Sequence, residues 1–92
     1  MNFEWDETKN AINIVKHDVD FRDAVKVFDD EYRMERIDDR DDYGETRMQV
    51  LGYTAFGMLF VVYTEREEDT VRIISARAAT KTEKKMYNER SF

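Results

Sequence analysis

Ninety-two residues, 41% hydrophobic and 13% aromatic, suffice for one modest core, which excludes a disordered tract despite 39% charged side chains. The lack of cysteine excludes disulfide staples, thiolate metal ligands and a thiol nucleophile, and the longest apolar run, Met58–Tyr63, is too short to span a bilayer. The net charge of −6 is uneven: residues 1–70 carry 9 basic and 19 acidic side chains and residues 71–92 carry 6 and 2, which excludes phosphate binding through bulk charge but leaves a local phosphate or docking site open.

The chain opens on Met-Asn-Phe-Glu-Trp-Asp, with no basic start and no apolar signal region, which predicts a cytoplasmic protein. Phe3-Glu4-Trp5 alternates as a short strand does. Asp6 predicts an N-cap for a first helix from Glu7 to His17, and Trp5, Thr8, Ile12 and Val15 recur at the spacing of one helical face. Asp20 predicts a second cap, followed by a stripe of Phe21, Ala24, Val25 and Phe28 that makes an amphipathic helix. The period then changes to two. Tyr32–Ile37 predicts an edge strand with charges on both faces, and Asp38–Gly44 a solvated acidic loop.

Glu45–Tyr53 predicts the next strand, Thr54–Gly57 a hairpin turn, and Met58–Arg66 an apolar central strand. After a turn at Glu67–Asp69, Thr70–Ala76 predicts the last strand. Thr80 with Glu83 forms a capping box for a helix to about Arg90. The order β-α-α-β-β-β-β-α predicts one α+β domain over residues 1–92: a mainly antiparallel sheet, two N-terminal helices on one face, and a C-terminal helix. No proline-rich linker, repeat or low-complexity tract divides it.

Arginines in and beside the last two strands are the chemically informative residues: Arg66, Arg72 and Arg77. A guanidinium is always charged and presents a rigid fork of donors, so a strand-mounted arginine suits phosphate or a partner's carboxylates. The acidic stretch Asp38–Asp42 lacks the spacing of a calcium loop, and one histidine with no cysteine predicts no zinc site. No metal or cofactor is expected.

Phe3-Glu4-Trp5-Asp6, Lys9, Asn13, Lys16-His17, Phe21, Val27-Phe28-Asp29, Asp42-Tyr43-Gly44-Glu45, Arg47, Gly52, Thr64-Glu65-Arg66 and Arg72-Ile73-Ile74-Ser75-Ala76-Arg77 together resemble the BrnT-type toxins over nearly the whole chain. The resemblance implies a RelE-like fold and a ribonuclease toxin of a type II toxin–antitoxin system. It also implies neutralisation by a BrnA-like antitoxin with a ribbon-helix-helix domain. DNA contact would then come only through the antitoxin, with a toxin dimer inside a larger complex and no membrane association. Two positions depart from the family pattern. Ala78 stands where a second arginine is common, which predicts weaker RNA binding or catalysis, and Asp18 stands where glycine often follows the Lys-His pair.

RNA cleavage without metal requires a proton acceptor for the ribose 2′-hydroxyl, stabilisation of the charged phosphorane, and a proton for the leaving oxygen. Under that chemistry Arg77, Arg66, His17 and Glu65 are the candidate catalytic residues, and Arg47, Arg72, Lys9 and Lys16 the candidate substrate-binding residues. Each has a structural alternative: salt bridges for the arginines, closure of the first helix for His17, positioning of Arg66 for Glu65. Regular alternation would point Arg72 and Arg77, five residues apart, to opposite faces. A break in the strand would bring them together. The rival reading is a BrnT-like module without catalysis that docks a ribbon-helix-helix partner, and an open Tyr32–Ile37 edge would also suit strand addition.

Overall fold

The computed structural model describes residues 1–92. The elements are β1 (Asn2–Glu4), α1 (Glu7–His17), α2 (Phe21–Ala24) continued by a 3₁₀ segment (Val25–Asp29), β2 (Met34–Asp38), β3 (Arg47–Thr54), β4 (Gly57–Arg66), β5 (Thr70–Ala78) and α3 (Lys81–Glu89). They form the expected α+β architecture. The five strands lie in the order β1-β5-β4-β3-β2, antiparallel except for β1, which runs parallel to β5. The apolar run of β4 therefore occupies the centre and β2 an edge, as the sequence indicates.

The caps act where the sequence places them. The Asp6 carboxylate accepts from the Lys9 amide at 3.0 Å, and Thr80 and Glu83 close a reciprocal capping box. Asp18 ends α1 in the left-handed conformation (φ 57°), one that aspartate tolerates better than most residues.

Three expectations need correction. The second helix is a single α turn that tightens to 3₁₀. Its fully buried residues are Phe21, Ala24 and Val27, not the predicted Val25 and Phe28, which are only half-buried. A spacing of three matches the 3₁₀ period, so one line of small and large apolar groups meets the sheet. Gly52 permits this close approach, since a β-carbon there would lie 2.9 Å from the Val27 carbonyl oxygen.

The predicted apolar face of α1 points outward: Ile12 is 60% and Val15 89% exposed. The buried residues of α1 are Asn10 and Asn13. The reason lies in β5, whose outer edge β1 covers only at Thr70–Arg72. Beyond that point the Asn13 amide substitutes for a strand, donating to the Ala76 carbonyl at 2.9 Å and accepting from the Ala76 N–H at 3.1 Å. A helix that seals a strand edge needs amides inward, because unpaired buried backbone groups are costly.

The third correction concerns Asp38, which ends β2 rather than opening a solvated loop. Its side chain is fully buried and takes a two-point grip from Arg40, both bonds 2.8 Å.

Two apolar clusters sandwich the sheet. Phe21, Ala24, Val27, Val50, Leu59, Val61, Tyr63, Val71, Ile73 and Ala76 pack beneath α1 and α2. Leu51, Met58, Phe60 and Val62 meet Ala79 and Tyr87 on the other face, where α3 lies.

Candidate nucleic-acid interface

A β-bulge sets the site. Tyr63 pairs with Ile73 and Val62 with Ser75, so Ile74 has no partner. One extra residue reverses the alternation of everything after it. Ile73 and Ala76 consequently share one core, while Ile74 packs in the other. Arg72 and Arg77, five residues apart, are thereby brought to the same face, the one away from α1 and α2.

Register adds further guanidinium groups to that face. Arg47 is the β3 partner of Asp38, which shares the face of Met34 and Arg36. Arg66 follows Thr64 by two residues on β4, and Glu45 joins the two arginines, 3.2 Å from Arg47 Nε and 3.6 Å from Arg66 Nη2. The structure therefore gathers Arg47, Arg66, Arg72 and Arg77 on one side of the sheet. Arg36 and Arg40 join them, two residues that sequence reasoning passed over. Arg36 lies 3.9 Å over the Phe92 ring and donates to Gln49 Oε1 at 2.7 Å. Phe60 lies beneath both Arg77 (4.1 Å) and Arg40 (5.7 Å). The available signal was the i, i+2, i+4 placement of Met34, Arg36 and Asp38, which marks one strand face.

Every predicted arginine already holds a carboxylate. Arg77 grips Glu83 through two bonds of 2.7 and 2.9 Å, and Arg72 Nη1 lies 2.5 Å from Glu4. Their side chains stay about 30% exposed, at 31% and 28%. Burial pushes the Glu83 carboxyl upward, but the Arg77 fork and the Thr80 amide hold it below its ordinary value. Hydrogen bonding from Arg40 brings Asp38 down to about 2, against the cost of burial. Five of these guanidinium groups share four carboxylates (Glu4, Asp38, Glu45 and Glu83), and Arg36 makes no ion pair.

The proton-transfer candidates separate. Glu65 lines a cleft of about 270 Å³ with Glu45, Thr46, Met48, Thr64 and Arg66, and makes no bond within the protein. His17 lies elsewhere. It borders a hollow with Asp18, Asp23, Phe56, Leu59 and Ala78, and a shallow groove with Lys9, Lys16, Ile74 and Ser75. Lys9, Lys16 and His17 thus form a group on α1, whose groove reaches Ile74 and Ser75 of β5 between Arg72 and Arg77. Tyr87 is committed to structure: its buried hydroxyl donates to Asp30 at 2.6 Å, and burial with that carboxylate pushes it up to about 12.

A family model described as the ribonuclease toxin BrnT of type II toxin–antitoxin systems matches residues 5–83. The fold is similar to the crystal structure of the Brucella abortus ribonuclease toxin BrnT, with a TM-score of 0.66 and 24% identity over 88% of this chain and 99% of that one. No curated protein matches the sequence. No helix is long and apolar enough to cross a membrane. The match over residues 5–83 places the chain in the BrnT family of ribonuclease toxins of type II toxin–antitoxin systems.

Proposed function

We propose that this chain is an endoribonuclease that cuts RNA without a metal ion, binds its substrate on the arginine face of the sheet, and is silenced in the cytoplasm by a BrnA-like antitoxin with a ribbon-helix-helix domain. The observation that carries the reading is the bulge at Ile74, which sets Arg72 and Arg77 on the same face as Arg47 and Arg66.

The chemistry assigns roles by position. The 2′-oxygen attacks phosphorus as its proton passes to water, and the P–O5′ bond breaks as the leaving oxygen takes a proton from water, giving a 2′,3′-cyclic phosphate and a 5′-hydroxyl. Guanidinium forks stabilise the two anionic oxygens of the phosphorane. Arg77 is the fork beside the reacting phosphate, while Arg72, and Arg66 with Arg47 toward the opposite end of the β4–β5 ladder, hold more distant phosphates. Glu65, the register partner of Val71, projects from the other face of the sheet and takes no part in this step. His17, Lys9 and Lys16 lie beside α1 and take no part in this step. Substrate phosphate competes with Glu83 and Glu4 for the forks, so the carboxylates orient the arginines before RNA arrives.

The test is cleavage of a single-stranded RNA in EDTA. Wild type yields cyclic-phosphate ends, and Arg77→Ala lowers the rate by about 100-fold, the cost of one donor to a developing oxyanion. Equal cleavage by wild type and Arg77→Ala removes the assignment.

The carboxylate held by each arginine favours a second reading, a module that docks its antitoxin and has lost catalysis, and Ala78 fits it. That reading predicts tight antitoxin binding with no growth arrest on expression. Toxicity relieved by the antitoxin rejects it.

A further inference from the structure

α1 is two-sided in an unusual sense. On its inward side Asn13 seals the edge of β5, and Asn10 accepts from the Phe21 N–H at the start of α2. Its opposite side carries Thr8, Ala11, Ile12 and Val15 at i, i+3, i+4 and i+7, all exposed. Folding of this chain leaves Ile12 and Val15 largely uncovered, 60% and 89% exposed. Ala11, Ile12, Val15 and Lys16 line a shallow hollow of about 350 Å³. Along one flank run Lys9 and Lys16, neither of which makes an ion pair. They border the groove toward Ile74 and Ser75. On the other flank Glu7 is engaged by Trp5 Nε1 at 2.8 Å and by Arg22 at 3.4 Å.

We infer that the outward face of α1 is the docking surface for the antitoxin, which it meets through an amphipathic segment: aliphatic side chains at helical spacing over Ile12 and Val15, and a carboxylate between Lys9 and Lys16. The inference rests on the family reading that an antitoxin exists, and is independent of RNA cleavage. Charge selects the occupant. On a chain of net charge −6 two unpaired lysines beside an aliphatic stripe complement an acidic-flanked segment. Aliphatic side chains offer nucleic-acid bases no ring to stack on, which favours protein over RNA at this face. Helix-in-groove docking uses this i, i+3, i+4, i+7 pattern of anchors.

The experiment titrates purified chain with the antitoxin encoded beside it, using Ile12→Glu and Val15→Glu and checking their folding by circular dichroism. Both side chains are exposed, so both variants fold and cleave RNA as wild type does. Each binds the antitoxin at least ~10-fold more weakly, the loss expected of a central anchor. The pair Lys9→Glu and Lys16→Glu slows association and flattens its salt dependence. Unchanged affinity in both aliphatic variants overturns the inference. So does a wild-type dimer that Ile12→Glu dissolves with antitoxin affinity intact, which assigns the face to a second copy. Loss of RNA binding instead of antitoxin binding assigns it to nucleic acid and also overturns the inference. Docking is read from binding alone, so an inactive wild type would strike the proposed ribonuclease activity and leave this result standing.

Discussion

Glu83→Ala removes two interactions held by one carboxylate. Its Oε1 accepts from the Thr80 N–H at 2.9 Å as half of the α3 capping box, and the same group takes both bonds of the Arg77 fork. A lost cap costs ~1 kcal/mol. The ion pair adds no more than ~1 kcal/mol, because Arg77 is partly solvated. The sum, about 2 kcal/mol, lowers the melting temperature by roughly 8–16 °C in a domain of this size. Arg77 at the same time loses its intramolecular rival for phosphate, so RNA affinity at low salt rises. The assay is thermal unfolding of wild type, Glu83→Ala, Arg77→Ala and the double variant, with RNA titrations of the first two. Arg77→Ala leaves the cap in place, so the cycle isolates a coupling of ~1 kcal/mol for the pair. Zero coupling, or a melting temperature that does not move, refutes the clamp.

Gly52→Ala drives a β-carbon against the Val27 backbone and costs about 1–3 kcal/mol by overpacking, measurable in urea. Asn13→Ala strands the buried N–H and C=O of Ala76 and costs about 2–3 kcal/mol; Asn13→Asp, which accepts but cannot donate, is no rescue. Hydrogen bonding from Arg40 holds Asp38 at about 2 in the folded chain, below its ordinary 3.8. Its contribution, at most about 2 kcal/mol, is therefore complete above pH ~4 and disappears as pH falls through about 2. Asp38→Asn flattens acid unfolding across that window, and an unaltered profile contradicts the assignment.

Local signals carried most of the fold into the sequence. Asp6, Asp20 and the Thr80–Glu83 pair name helix starts because a cap acts on amides two or three residues away. The apolar run of β4 names a central strand because both its faces are covered. The faces of α1 were illegible, since periodicity locates a stripe but not what it meets. Ile12 and Val15 read as core, yet β5 asks α1 for amides. Asp38 was likewise read as loop because its burial depends on Arg40, its partner across the end of β2. The arginine face was half legible. Residue type and position singled out Arg47, Arg66, Arg72 and Arg77, while their convergence required a one-residue bulge that Ile74-Ser75 does not announce. The placement of Lys9, Lys16 and His17 over Ile74 and Ser75 of β5 follows from tertiary packing alone.

The most direct test of the arginine face maps an RNA that cannot react. A 2′-O-methyl oligonucleotide lacks the nucleophile, stays intact, and can be titrated into labelled protein while amide and guanidinium resonances are followed. The account predicts shifts at Arg47, Arg66, Arg72 and Arg77, with Lys9, Lys16 and His17 unmoved. Shifts confined to α1, with the four arginines silent, would contradict it.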